Sequence, residues 1–506
     1  MQSNTVSRRA FLATTATAVA APLFAADTST NVVIILADDL GYGDTSCYGA
    51  TKVNTPNIDR LALEGRRFTQ AYTASSICSP TRYALMTGRY CWRTSLQRQV
   101  LNVNAPLHIE TSRMTLPSMF KKRGYTSAAI GKWHLGYGPG PTVDWNQPLR
   151  PGPLELGFSY HFGVPSNHGD LTRAYVKNDT LINRQPGVPY QVGTKKGGPK
   201  GLTQTRVDDR VNVTLAGEAV QFLEGTNGKP FFLYFTPVAV HNPVTPSKQF
   251  RGKSQAGLYG DYILELDWAV GQVLNTLDKM KVSENTLVFF SSDNGGVVMS
   301  RGGQGGERQA AEFALNLEND DSESISAHYR IAQKEAERTG HKIVGDLRGR
   351  KHSIYEGGFR VPFITRWPGR VPAATTCDEV ISLTDMLATL AKIVGEKVPA
   401  NAGEDSYDVS PALLGRKLAK PIREAVVVHN AEGVFAIRQG AWKLIETRTW
   451  DEELQSPWRK EATNQLYNLA KDPAETANVW DQNPTVVKRL TALLAKYRKQ
   501  GRSAPL

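Results

Sequence analysis

Two kinds of pattern alternate along the chain. Residues 31–37 (Asn-Val-Val-Ile-Ile-Leu-Ala) form an unbroken apolar, β-branched run, the mark of a strand covered on both faces. Segments 124–131, 229–235 and 285–290 read as further strands. Segments of helical character lie between them. One opens at Thr55-Pro56, with proline near its first turn, and another occupies 116–123. A third, 261–279, repeats apolar residues at Ile263, Leu266, Val270, Val273, Leu274 and Leu277. Strands alternating with helices predict a mostly parallel α/β sheet, whose ligands gather beyond the carboxyl ends of its strands.

The pattern changes after about residue 417. Segments 425–429, 434–438 and 441–445 are short alternating strands, followed by a fourth at 465–468 and a helix over 485–499. This predicts a small antiparallel sheet carrying a C-terminal helix. Residues 299–346 fit neither pattern: 301–306 is glycine-rich, 318–323 is acidic, and 324–338 reads as an exposed helix. They are expected to be an insertion near the strand ends, either a solvated excursion or a lid that shapes substrate. The expected division is therefore 1–26, 27–417 with the insertion, and 418–506.

The first 26 residues read as an address. Ser7-Arg8-Arg9-Ala10-Phe11-Leu12 precedes a small, apolar stretch that ends at Ala25-Ala26, the order of regions in a secretory signal. The paired arginines resemble the twin-arginine export signal, which implies the twin-arginine (Tat) translocase as a partner and a periplasmic or secreted location. No other run approaches 18 apolar residues, so no permanent membrane anchor is expected.

Composition narrows the function. The 506 residues are 40% hydrophobic and 21% charged, enough to bury a large core and to exclude wholesale disorder. Net charge is +12, but no block of Lys and Arg dominates. Nucleic-acid binding is therefore not expected, which leaves an anionic substrate or no functional meaning. The four cysteines, Cys47, Cys78, Cys91 and Cys377, show no paired zinc spacing.

Polar residues collect where the strands end: Asp38-Asp39, Lys132 with His134, His241, and Asp293-Asn294. Taken singly, Asp-Asp or Asp-Asn-Gly is an ordinary surface turn, a lone histidine a structural hydrogen-bonder, and a lone cysteine a buried thiol. Together, adjacent aspartates are costly without a cation, and an all-oxygen set suits a hard divalent ion, Ca²⁺ or Mg²⁺.

Ser76-Ile-Cys-Ser-Pro-Thr-Arg82, running on to Thr87-Gly88-Arg89, resembles the type I sulfatases of the arylsulfatase and N-acetylgalactosamine-6-sulfatase kind. In them Cys-x-Pro-x-Arg directs oxidation of the cysteine to formylglycine. Gly124-Tyr-Thr-Ser-Ala-Ala-Ile-Gly-Lys-Trp-His134 is similar to the family's second signature. Asp38-Asp39, His241, Asp293-Asn294-Gly295, Lys351 before Glu356-Gly-Gly-Phe-Arg-Val-Pro362, Ala441-Trp-Lys-Leu and Gln465-Leu-Tyr-Asn continue the resemblance in family order.

The resemblance implies an alkaline-phosphatase-like α/β fold: a large mixed sheet flanked by helices, with a smaller C-terminal antiparallel sheet plus helix. It implies hydrolysis of a sulfate ester, here expected on a sulfated carbohydrate, and a formylglycine-generating maturation enzyme as partner. Asp38, Asp39, modified Cys78, Asp293 and Asn294 would ligate one divalent cation, Ca²⁺ in most relatives and Mg²⁺ as an option. One hydroxyl of the hydrated aldehyde attacks sulfur, and loss of the second hydroxyl's proton expels sulfate. Arg82 would hold the diol, while Lys132 and Lys351 meet the sulfate oxygens. His134 would deprotonate the diol, His241 would protonate the leaving alcohol, and Ser166 is a further substrate-binding candidate. Lys132 and His134, two apart, would point the same way on an extended segment. One departure is Gly349-Arg350-Lys351-His352, where relatives often carry Gly-Gly-Lys-Gly; Arg350 and His352 would then meet further anionic groups. A phosphodiester or phosphonate monoester hydrolase of the same superfamily, and a catalytically silent binder of sulfated glycans, are the alternatives.

Overall fold

The computed structural model describes residues 29–194, 197–299, 316–318, 331–446 and 464–505. The segment expected to be an export signal, and residues 300–315 and 319–330 of the expected insertion, lie outside the described residues. No helix among the described residues is long and apolar enough to cross a membrane.

Four buried strands form the centre of the large sheet: β1 (Asn31–Ala37), β3 (Thr126–Lys132), β7 (Phe231–Thr236) and β8 (Thr286–Ser292). Their order is β8-β1-β7-β3, all parallel. β2 (Arg66–Tyr72), β4 (Tyr160–Val164), β5 (Val176–Lys177), β6 (Thr180–Leu181), β9 (Arg360–Arg366), β10 (Thr375–Cys377) and β11 (Ile381–Ser382) extend it on both sides. β9 runs antiparallel to both β8 and β2, so the sheet is mixed, as expected.

The unbroken apolar run of β1 follows from its position. Val32, Ile34 and Leu36 face one core, while Val33, Ile35 and Ala37 face the other. On the first side lie α2 (Cys78–Thr87), α3 (Leu116–Lys122) and α8 (Met386–Val394). The second is covered by α1 (Pro56–Leu63), α4 (Val211–Glu224) and α5 (Gly257–Lys279). α5 begins four residues before the expected start.

Helix α6 (Ala332–Arg338) is the described part of the helix expected over 324–338. It is not simply exposed: Ala332, Gln333 and Ala336 are buried, the two alanines in the α5-side core. His341, Ile343 and Val344 beyond it are buried as well. The backbone of Ile343 lies so near Gly41 that a Cβ there would come within 2.1 Å of its carbonyl oxygen. The C-terminal stem of the insertion is thus packed structure.

After the short α7 (Glu356–Phe359) and α9 (Ser410–Leu413), the chain builds the antiparallel sheet β12 (Val426–His429), β13 (Phe435–Gln439), β14 (Trp442–Ile445) and β15 (Gln465–Asn468). α10 (Pro484–Lys499) lays Leu490, Leu493, Leu494 and Tyr497 on one face of it. The other face packs on Tyr72, Ile354, Tyr355 and Phe359 of the larger body.

Charge also crosses this seam. Lys443 on β14 lies 3.1 Å from Glu356 and 2.8 Å from Glu475, all three buried. Tyr72 donates a hydrogen bond to Glu356. Removing Lys443 would take away the cation that contacts both buried carboxylates. Lys443→Met is expected to cost about 3–5 kcal/mol, the scale for breaking a buried pair from one side. Urea unfolding would show it, and a loss below about 1 kcal/mol would mean the seam relaxes around the change.

Candidate active site

Each central parallel strand delivers its polar residues at its carboxyl end. Asp38 and Asp39 leave β1 and are anchored from β7's side: Asp38 N–H donates to the Ala239 carbonyl at 3.0 Å. Asp39 has φ 62°, a left-handed turn that sends the two carboxylates different ways. Lys132 closes β3. The β3–β7 approach behind it is tight, since a Cβ on Gly131, itself at φ 120°, would lie 1.9 Å from the Thr236 carbonyl oxygen. Asp293 and Asn294 follow β8, and His241 follows β7. Cys78 opens α2, with its side chain where the helix's unpaired N–H groups favour negative charge. Arg82 follows one turn later and is fully buried.

The side chains meet. Lys132 Nζ donates to both oxygens of Asp38 at 2.9 Å. Lys351 Nζ reaches Asp39 Oδ1 at 2.7 Å and Oδ2 at 2.8 Å. Arg82 grips Asp293 Oδ2 through Nε at 3.0 Å and Nη2 at 2.7 Å, and its Nη1 donates to the Lys132 carbonyl at 2.9 Å. Cys78 Sγ lies 3.9 Å from Asp38 Oδ1. Every carboxylate thus has its own cation from the chain.

Burial raises the Asp38 carboxyl to about 7, with Lys132 and Arg82 opposing it. Burial also acts to raise Asp39, but Lys351, His241 and Lys132 outweigh it and hold that carboxyl below its usual range. As an unmodified thiol, Cys78 is pushed up to about 12 by burial, despite the two lysines. A cysteine so placed is not a thiolate nucleophile near neutral pH.

Three of the five expected ligands, Asp38, Asp39 and Cys78, come together with His241, and the surroundings suit a hard cation. Among the described residues, atoms of Asp38, Asp39, Cys78 and His241 lie within 4.8 Å of one another. Asn294 Nδ2 donates to Asp39 Oδ1 at 2.8 Å, while its buried Oδ1 has no hydrogen-bond partner. An orphaned carbonyl oxygen beside three carboxylates is what an oxygen-seeking ion would satisfy. The oxygens of Asp293 face Arg82 and the Asp39 N–H, the latter at 3.3 Å. His241 lies nearer this group than its sequence role required, with Nε2 3.8 Å from Asp39 Oδ2.

The histidines are oriented by backbone carbonyls. His134 Nε2 lies 3.0 Å from the Leu101 carbonyl, so that nitrogen carries the hydrogen. Its Nδ1 is buried without a partner and keeps the lone pair. Burial, then Lys132 and Arg82, hold His134 well below its ordinary value, hence neutral. The expected extended segment is absent at this residue: His134 has φ 54°, so the chain turns after β3. His241 Nδ1 donates to the Asn242 carbonyl at 2.6 Å, and burial followed by Lys351 lowers it to about 3.

Ser166 is buried, its N–H donates to Asp170 at 3.0 Å, and no hydrogen bond joins it to the cluster. Arg350 is buried and donates to the Val298 carbonyl at 2.6 Å, so this contact supports the loop beside Lys351. His352 has φ 76° and donates its N–H to the Ser76 carbonyl, two residues before Cys78.

A supporting group escaped the sequence reading. Asp44, buried, accepts from Tyr259 at 2.7 Å and Gly41 N–H at 2.7 Å, and its other oxygen pairs with His341 Nε2 at 2.7 Å. It ties the Asp38-Asp39 loop to α5 and to the stem of the insertion. The repeated glycines around Tyr42 were the available signal, since they allow close backbone packing.

The Sulfatase family model matches residues 30–396. A second model, for the C-terminal region of N-sulphoglucosamine sulphohydrolase, matches 349–500. An N-acetylgalactosamine-6-O-sulfatase of Bacteroides thetaiotaomicron is 34% identical over 511 residues, covering 92% of this chain and 93% of the relative. Human arylsulfatase A is 31% identical over 476 residues, covering 89% and 83%. A solved structure from work on glycosaminoglycan metabolism by Bacteroides thetaiotaomicron superposes with a TM-score of 0.82 at 33% identity, covering 94% of this chain and all of that one.

The pairing of Arg82 with Asp293 gives a direct test of the site's electrostatics. Arg82→Met leaves Asp293 buried without its two-pronged donor and is expected to destabilise the metal-free protein by about 3–5 kcal/mol. Arg82→Lys, which keeps the charge and loses the fork, should fall between. Urea midpoints compare the three; equal midpoints would show that Asp293 does not need this partner.

Proposed function

The chain belongs to the sulfatase family and is a sulfuric ester hydrolase, and from that premise we propose that it desulfates a sulfated carbohydrate using a formylglycine made from Cys78. The observation that carries this reading is Cys78 at the head of α2, beside Asp38 and within the ring of Lys132, Lys351 and Arg82. The carbohydrate is inferred from the N-acetylgalactosamine sulfatases among its relatives. The chain's high positive charge is compatible with a polyanionic substrate.

Asp38, Asp39, residue 78, Asp293 and Asn294 would hold one divalent cation, Ca²⁺ by family analogy and Mg²⁺ as an option, and His241 borders the group. When bound, the ion supplies Lewis acidity, favouring ionisation of a hydroxyl and neutralising a sulfate oxygen. Formylglycine supplies, as its hydrate, the attacking oxygen.

The chain's own charges set up sulfate binding. Three carboxylates face Lys132, Lys351 and Arg82, so they nearly cancel, and any added cation leaves a positive excess that favours an anion. Lys132 and Lys351 orient the sulfate and meet charge that develops on its oxygens. Arg82 fixes Asp293 and the β3 end, so the nucleophile's surroundings do not have to reorganise. His134 Nδ1, with its lone pair free, takes a proton from the nucleophile's side. His241, with Nδ1–H held by Asn242, presents its Nε2 lone pair; once Nε2 has taken up a proton, which a bound sulfate's negative charge favours, it can pass that proton to the departing alcohol oxygen. Burial of nearly all these groups excludes water and strengthens each electrostatic contact.

Export by the twin-arginine route, and maturation by a formylglycine-generating enzyme, complete the proposal. The basis is Arg8-Arg9 and the Cys78-x-Pro80-x-Arg82 spacing.

Cys78→Ala is expected to abolish sulfate release while leaving the melting temperature within a few degrees of wild type. Mass spectrometry of the wild-type peptide should show an aldehyde in place of the thiol. Turnover by a verified Cys78→Ala protein would end the proposal.

Chelation should stop turnover, and added Ca²⁺ should restore it. Saturation at about 100 times Kd should stabilise the fold by about 2.7 kcal/mol. The metal-free fold should persist, because each carboxylate keeps a cationic partner. Full activity in protein shown by elemental analysis to be metal-free would remove the assigned cation site.

A further inference from the structure

We propose that a surface groove beside the catalytic face is a second, non-catalytic site that grips a sulfated glycan chain while one residue of that chain is processed. The inference rests on the carbohydrate reading above, though its test does not depend on turnover.

The groove is about 590 Å³ and is walled by residues 46–56 on one side and by 250–255 with the face of α5 on the other. Both walls continue the segments that leave β1 and β7, the strands that deliver Asp38-Asp39 and His241. The groove therefore borders the sheet edge that carries the catalytic residues. None of its lining residues belongs to the catalytic cluster.

Its chemistry is that of a site for an anionic sugar. Trp268 and Phe250 are half-buried, with ring centroids 5.9 Å apart, and form an aromatic floor. Pyranose faces stack on such rings, and the tryptophan Nε1–H remains free to donate. Lys52, half-buried, and Lys253, exposed, supply two cations with no ion-pair partner among the described residues. Asn54 and Gln255 are exposed, and their amide groups are likewise uncommitted, available to hydroxyls.

The carboxylate in the lining, Asp267, does not cancel the lysines. It is turned inward and accepts the N–H groups of Asn57 and Ile58 at 3.0 and 2.8 Å and the Asn57 side chain at 2.7 Å. The walls are also preformed. Buried Asp261 accepts the N–H groups of Gly252, Lys253 and Ser254, fixing that loop, and Gln255 N–H donates across the groove to the Lys52 carbonyl at 3.0 Å. A rigid aromatic floor with free cations at its rim lowers the ordering cost of holding a flexible polyanion. Binding there in addition to the catalytic pocket would raise the effective concentration of the next sulfate group on the same chain.

The test uses the mature, metal-loaded enzyme on native gels cast with dextran sulfate or with unsulfated dextran. Two variants probe the groove: Lys52→Ala/Lys253→Ala, which alters only surface groups, and Trp268→Ala. Each is expected to weaken retention by dextran sulfate at least tenfold, with kcat/KM on a small aryl sulfate within twofold of wild type. Unchanged retention in the lysine variant overturns the site. Loss in the lysine variant with none in Trp268→Ala, when the latter melts like wild type, leaves a charge patch only and also overturns the glycan site. Failure of the functional reading looks different: wild type would then be retained, and the variants weakened, yet no sulfated carbohydrate would release sulfate.

Discussion

Three carboxylates shut away from water at the ends of parallel strands are the constraint around which this protein is arranged. Asp38, Asp39 and Asp293 repel one another, and burial strengthens that repulsion. The chain answers with one cation for each: Lys132, Lys351 and Arg82, from three different parts of the sequence. None of these pairs stabilises the fold merely by existing, because desolvation of both partners offsets much of the attraction. What they do is make the site an all-or-none unit. Removing any member strands a charge, so the geometry proposed to bind sulfate is also the geometry that makes the acids tolerable.

That unit can form only because the backbone around it packs so closely. Gly131 lets β3 and β7 approach at the point where Lys132 must turn inward. Gly41 and Gly43 accept the backbone of residues 342–345, bringing the stem of the insertion under the Asp38-Asp39 loop. Asp44 then bonds Tyr259 and His341 beneath the same loop. A loop holding two adjacent aspartates would otherwise relax to separate them. Here it is pinned from α5, from the insertion and from the β7 side together, and that supplies the rigidity which electrostatic preorganisation requires.

Much of this was legible in the sequence, for identifiable reasons. Buried parallel strands need apolar residues on both faces, so β1, β7 and β8 announced themselves, and the ligand-type residues just beyond them located the site. The C-terminal sheet was equally clear from its period-2 strands. β9 was not, because Arg360-Val-Pro-Phe-Ile-Thr-Arg carries charges at both ends and a proline, and no local pattern tells that it pairs antiparallel with β8. Helix α6 was read as exposed because its sequence is charged, yet its two alanines are enough to pack on α5. His134 shows a finer limit: its identity and neighbourhood were readable, but a positive φ in a non-glycine residue is set by tertiary contacts. Arg350 shows the same limit, since a loop arginine beside Lys351 gives no sign that it is bound to the Val298 carbonyl.

The division between what was readable and what was not follows a division of labour. Reaction chemistry sits on strand ends and at a helix N-terminus, where a few residue types at fixed spacing are compulsory. In the proposed glycan groove, recognition of the rest of the substrate would fall to connections that leave those strands, including 46–56 and 242–256, where many sequences satisfy the same fold. The fold does not require Lys52 or Lys253 where they stand, and Trp268 on α5 leaves part of its ring beside them at the groove. In a sulfuric ester hydrolase, a sulfated chain is the partner whose charge matches those lysines and whose ring faces match that tryptophan.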